Sequence, residues 1–276
     1  MKRAREYRSL AWDVLRSNFK QSSLVVLLTY LVAMVGVGAL IGAAVYWIHS
    51  RGFVSASIMS AVLIAFFLTV SLLNYYLPVW YMSMLRKEPA RWYDVRTSYW
   101  RALLASLLIM MPNVLSQSVN GLSQWLQHSD SLSPTVKMIM ALVIMMGSML
   151  VLVFVLWYSY SIGIMLPYKV YDREDRSVFG LVKDTFRMMK GYRWKLFCVD
   201  FFILVWPLGI VYFLCLVMVV VLALNAGDLI DGNAFLGAMV VTGIFLSVVM
   251  FAFMFLFEPM RSFAHAQFYE ELKGEN

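Results

Sequence analysis

Six stretches of this chain, 21–50, 52–85, 102–129, 138–168, 201–227 and 232–257, contain no Asp, Glu, Lys or Arg. Each exceeds the roughly 20 residues that a helix needs to cross the hydrocarbon core of a bilayer. Lipid offers the backbone no hydrogen-bond partner, so a segment crossing it must satisfy its own amides, and runs of this length do so as helices. The basic residues between the runs are split unevenly. Six Lys or Arg fall in 1–20, five in 85–101, eight in 169–195 and two in 258–276, whereas the alternate gaps hold only Arg51 and Lys137. Short loops rich in Lys and Arg stay on the cytoplasmic side. The expected fold is therefore an all-α polytopic membrane bundle of six transmembrane helices, with both termini cytoplasmic.

Composition excludes most alternatives. Hydrophobic residues make up 62% and charged residues 14%, against roughly 45–50% and about 25% in soluble domains. The net charge of +7 follows from the loop asymmetry and calls for no nucleic-acid partner. The first apolar run lacks a clear small-residue cleavage site, so it reads as an uncleaved first helix. Cys198 and Cys215 are the only cysteines, both in the fifth helix, and form no metal-binding CxxC pattern.

A single membrane domain over 1–276 is expected. Its parts are a basic amphipathic segment at 1–20, helices near 22–48, 54–84, 102–127, 137–166, 196–225 and 233–258, and a tail at 259–276. The outer connections are short and turn-like, as in Ser133-Pro134 and Asp231-Gly232-Asn233. The inner ones are longer and amphipathic. In 173–194, Val178, Phe179, Val182, Phe186 and Met189 recur at helical spacing, with Arg176, Lys183, Arg187 and Lys190 on the other face. That pattern predicts an interfacial helix whose apolar face meets headgroups or the bundle. Segment 2–19 reads the same way through Tyr7, Leu10, Ala11 and Val14. A faint repeat joins DVLRSNFK (Asp13 to Lys20) to DVRTSYWR (Asp94 to Arg101), and Pro78, Pro167 and Pro259 each mark the inner end of an even helix. Three helical hairpins, or merely the charge grammar that any hairpin shares, would produce this.

MKGYRWKLF (Met189 to Phe197), PYKVYDRED (Pro167 to Asp175) and FYEEL (Phe268 to Leu272) resemble one bacterial family of multi-pass integral membrane proteins, domain-of-unknown-function family nine-seven-five. The resemblance is clearest over 157–272. Pro259-Met260 stands where the family often has Pro-Tyr. The resemblance implies a multi-pass protein of a bacterial cytoplasmic membrane and brings no activity or catalytic residues with it.

Within the helices, three features bear on function. Asn113, Ser116, Gln117, Asn120, Gln124 and Gln127 share one face of the third helix beyond Pro112. This polar stripe would line a hydrated path, form interhelical hydrogen bonds, or lie in the outer interface. Asp200 and Glu258 are the carboxylates nearest the hydrocarbon. They form either a protonatable pair or interfacial ion pairs with Arg193, Lys195 or Arg261. Gly38 and Gly42 form a GxxxG packing face in the first helix, within the bundle or between copies.

No Ser-His-Asp order, HExxH or phosphate-binding glycine loop is present. The methionines of the fourth helix read as apolar filler, and the three histidines are too scattered for zinc. The expected protein is non-enzymatic and without metal or cofactor. It would act as a scaffold or accessory subunit, through anionic headgroups at Arg176, Lys183, Arg187 and Lys190 or through another membrane protein or a second copy. The alternative is a transporter-like conduit along the stripe.

Overall fold

A computed structural model of the chain describes residues 2–50, 52–88, 99–128, 134–172, 176–207, 209–211, 213, 217, 253 and 255–274. Among them every regular element is helical and no strand occurs. The order is α1 (Ala4–Ser17), α2 (Phe19–Ser50), α3 (Phe53–Arg86), α4 (Tyr99–His128), α5 (Pro134–Tyr158), α6 (Leu166–Asp172), α7 (Val178–Met188) and α8 (Arg193–Asp200). Residues 255–274 are also helical. The expected fifth span, near 196–225, is described over 196–207, 209–211, 213 and 217, and the sixth, near 233–258, only at 253 and 255–258.

Three segments are long and apolar enough to cross a membrane: Phe19–Ser50, Val54–Arg86 and Ile139–Asp172. The first has 32 residues, about 48 Å at a rise of roughly 1.5 Å per residue, and exceeds a hydrocarbon core of about 30 Å. These segments leave large apolar side chains such as Met34, Val35, Ile64 and Leu150 uncovered by protein. Water disfavours such a surface and lipid does not, which marks a membrane protein. A shorter apolar helical stretch runs over Trp100–Pro112 among the described residues, and α4 continues through Pro112 to His128 as one helix.

The long helices are interrupted at two prolines. A π-helical turn at Ser159–Gly163 separates α5 from α6, and a second at Phe201–Val205 follows α8. Proline has no amide to give the carbonyl four residues back, and its ring crowds that carbonyl. The residue four before Pro167 is Gly163, and the one four before Pro207 is Ile203; both lie in these turns. The wider turn absorbs the missing bond. Arg86 ends α3 differently: Lys87 turns left-handed at φ 56°, with Glu88 N–H bonding Ser83 C=O at 3.0 Å, a Schellman closure.

The chain forms two compact units, Met1–Leu31 with Lys195–Glu275, and Val32–Trp194. In the first, α1 buries Tyr7, Ala11 and Leu15, spaced four apart so that they share one side. Tyr7 packs on Phe268 with ring centroids 5.4 Å apart, and α1 also meets the turn at Phe201–Val205. Tyr7 Oη donates to the Glu271 carboxylate, and the Lys2 amide donates to Glu271 Oε1 at 2.8 Å. Phe263, Ala264, Ala266 and Leu272 complete this core.

The second unit is built around Tyr75, Ala102, Ala105, Ile162, Leu166, Val170, Val178 and Leu181. The two alanines let α4 approach α3 and α6 closely, and Tyr158 Oη bonds Leu108 C=O at 2.9 Å. At Gly36 of α2 the Phe66 ring of α3 sits close, and an added Cβ would fall 2.5 Å from it. Gly38 and Gly42 would meet nothing within 4 Å.

Candidate functional site

In the first unit the ionic centre is Asp200, the last residue of α8, whose side chain is 2% exposed. Arg261 grips it with both arms of its fork, Nε on Oδ1 at 2.9 Å and Nη2 on Oδ2 at 3.2 Å. His265 Nε2 lies 2.6 Å from Oδ1. Glu258 joins the same guanidinium at 3.9 Å through Nη1. Glu258, Arg261 and His265 are spaced by three and four, so one helix face presents all of them. A buried carboxylate is costly unless it is paired and hydrogen-bonded. Asp200 meets both conditions, and a planar fork is the geometry that suits it. Asp200 and Glu258 therefore share an arginine, an arrangement for holding two elements together. Among the described residues no group of three His, Cys, Asp or Glu side chains could hold a metal ion.

In the second unit, helix ends are tied by polar contacts. Arg86 forks onto Asp172 at 2.7 and 3.1 Å, Tyr171 Oη donates to Glu88 at 3.2 Å, and Arg101 donates to the Arg176 carbonyl at 2.8 Å. Just beyond Arg176, Ser177 caps α7: its Oγ accepts from the Gly180 amide at 3.3 Å, a standard use of serine at a helix start. Along α7, Val178, Leu181, Thr185 and Met188 are buried, and Leu181 is 0% exposed. Lys183, Arg187 and Lys190 carry the charge of this segment, and Lys190 is exposed. Phe179 stands with them at 68% exposure.

The four basic residues expected to act together do not share one environment. Arg176 forms an ion pair with Asp184 at 2.8 Å. Among the described residues no ion pair involves Lys183, Arg187 or Lys190. Arg193 packs into the corner made by two rings, its guanidinium carbon 4.5 Å from the Phe186 centroid and 5.2 Å from that of Trp157. Those rings meet edge to face at 5.6 Å.

The polar stripe of α4 is described in part. Ser116 is half-buried and Gln117 is exposed, with Pro112 buried below them. The side chains of Asn113, Asn120, Gln124 and Gln127 lie outside the described residues. Sequence reasoning missed His265 at Asp200, the Arg86–Asp172 and Tyr7–Glu271 contacts, Gly36, and the rings beside Arg193. Only the aromatic flanks of the charges hinted at the last.

The family described as Protein of unknown function (DUF975) matches the chain over residues 1–276. No curated protein and no solved structure matches it. The chain belongs to that family.

Proposed function

We propose that this member of the DUF975 family is a non-enzymatic, six-span protein of a bacterial cytoplasmic membrane, a scaffold or accessory subunit whose inner surface holds anionic headgroups or a partner protein. The observation that carries this reading is α7. Val178, Leu181, Thr185 and Met188 are buried in its own core and Phe179 is not, while Lys183, Arg187 and Lys190 have no carboxylate among the described residues to neutralise them. A basic surface of that kind attracts an anionic leaflet, at about 1 kcal/mol for each basic residue near it. Two further facts support an even number of crossings with inner termini. Lys2 and Tyr7 bond Glu271, a contact that termini on the same side of a bilayer allow. Arg86, Glu88, Arg101, Asp172 and Arg176 meet at the helix ends that the charge asymmetry assigns to the inner face.

The test is the lipid that accompanies the purified protein. Replacing Lys183 and Arg187 together by Gln should lower the ratio of anionic to zwitterionic lipid retained, several-fold. An unchanged ratio would remove the lipid arm of the proposal. The conduit alternative is addressed by a cysteine at Gln117 in a chain whose Cys198 and Cys215 are Ser. Reaction with a membrane-impermeant thiol reagent there, but not at Val114, would favour a hydrated path over a scaffold.

A further inference from the structure

We infer that Arg193, seated in the corner between Phe186 and Trp157, holds the phosphate of one anionic phospholipid, with Lys190 as its second contact. This rests on the proposed function and narrows it from a charged surface to one bound molecule.

Two aromatic rings pack against the guanidinium. They fix its place by cation–π attraction, which leaves its hydrogen-bonding capacity unspent. Its Nε is buried and has no hydrogen-bond partner, and among the described residues no ion pair involves Arg193. The protein itself covers Nε, and the residue as a whole is half-buried, so an acceptor from outside would meet the two terminal nitrogens of the fork. Two other arginines of the same unit follow the opposite pattern: Arg86 has Asp172 and Arg176 has Asp184.

Position selects the ligand. Trp157 lies in the half of the apolar segment Ile139–Asp172 that ends at Asp172, and Trp194, next to Arg193, is 73% exposed. Tryptophan favours the depth where hydrocarbon gives way to headgroups. A fixed guanidinium at that depth meets the phosphate layer, and its planar fork matches phosphate oxygens in a way an ammonium does not. Lys190 precedes it by three residues across the turn at Gly191, whose φ is +90°. It is exposed and adds a second positive charge three residues from the fixed one. Zwitterionic lipid carries its own ammonium against the phosphate, so the site should prefer a headgroup with net negative charge.

The experiment uses the full chain in nanodiscs of phosphatidylglycerol and phosphatidylethanolamine, released into the gas phase for native mass spectrometry. One phosphatidylglycerol is expected to stay bound to the parent protein in excess over phosphatidylethanolamine. Arg193→Gln should reduce that adduct at least tenfold. Arg193→Lys, which keeps the charge and loses the fork, should fall between. Trp157→Leu should also weaken it, by removing one wall of the corner. Arg8→Gln, which removes an exposed cation elsewhere, should leave it unchanged. Equal adducts in the parent protein and Arg193→Gln would overturn the inference, as would full retention in Arg193→Lys, which would reduce the site to charge alone. Displacement of the lipid by inorganic phosphate alone would likewise overturn it, in favour of a soluble anion. If the bulk anionic enrichment still depends on Lys183 and Arg187 while no discrete adduct depends on Arg193, the surface reading stands and this inference falls.

Discussion

Helices α1 and α7 share one sequence pattern. Each is short, basic and amphipathic, and each lies just ahead of or behind a long apolar run. Both turn their apolar sides into protein, yet they are held by different forces. Helix α7 is held by its own neighbourhood, through Val178 and Leu181 in a core of residues from α3, α4 and α6. Helix α1 is held by the other end of the chain, through a ring contact with Phe268 and a hydrogen bond to Glu271. Amphipathic spacing thus says that a helix has something to bury. It does not say whether lipid, a near neighbour or a distant segment will cover it.

The largest expected effect is on the α7 side. Leu181→Ala deletes a side chain with no solvent exposure and should cost about 2–5 kcal/mol. Hydrogen exchange should rise over Val178–Met188 and leave Ala4–Ser17 protected. If both helices loosen together, the two anchors are not independent. Tyr7→Phe is gentler. It keeps the ring on Phe268 and removes the bond to Glu271, a loss of about 1–2 kcal/mol, seen as faster exchange in Ala4–Ser17 alone.

A smaller effect is a pH dependence confined to α1. Partial burial alone would raise the Glu271 carboxyl, but the bonds from Tyr7 and the Lys2 amide outweigh it and hold the group below its ordinary 4.5. A carboxyl lowered in the folded state stabilises that state above its ordinary value, and the contribution disappears as pH falls through the lower folded value. Proteolysis near α1 should therefore increase below pH of about 4, relative to cleavage near α7. In Glu271→Gln that increase should be absent. An identical acid response in the variant would assign it to another group.

Much of the helical architecture was legible because its cause is local. Long uncharged runs make long apolar helices, and Phe19–Ser50, Val54–Arg86 and Ile139–Asp172 announce themselves by composition. The ends of the first two were legible to within a few residues for the same reason. The internal partners were not. Asp200 was singled out by its position at the edge of an apolar run, and Arg261 was among its expected partners, but His265 looked like one scattered histidine. It comes beside Asp200 only because Glu258, Arg261 and His265 share one helix face, with His265 65 residues further along the chain. The GxxxG pair at Gly38 and Gly42 matched a motif, whereas Gly36 makes the close approach to α3. A motif records which residues permit contact, and which glycine is met depends on the facing side chain, here Phe66. The two π turns are a similar case. The prolines were visible, but the response of the backbone four residues earlier depends on what the neighbouring helices will allow.

The bond from Tyr7 to Glu271 spans 264 positions of sequence, and a ribosome makes one partner long before the other. Throughout that interval α1 exists with Tyr7, Ala11 and Leu15 unsheltered by the residues that finally enclose them. The first unit of the fold is thus made of two stretches separated by the whole of the second, and its core closes only when the later stretch has been made, like a parcel whose string is tied last.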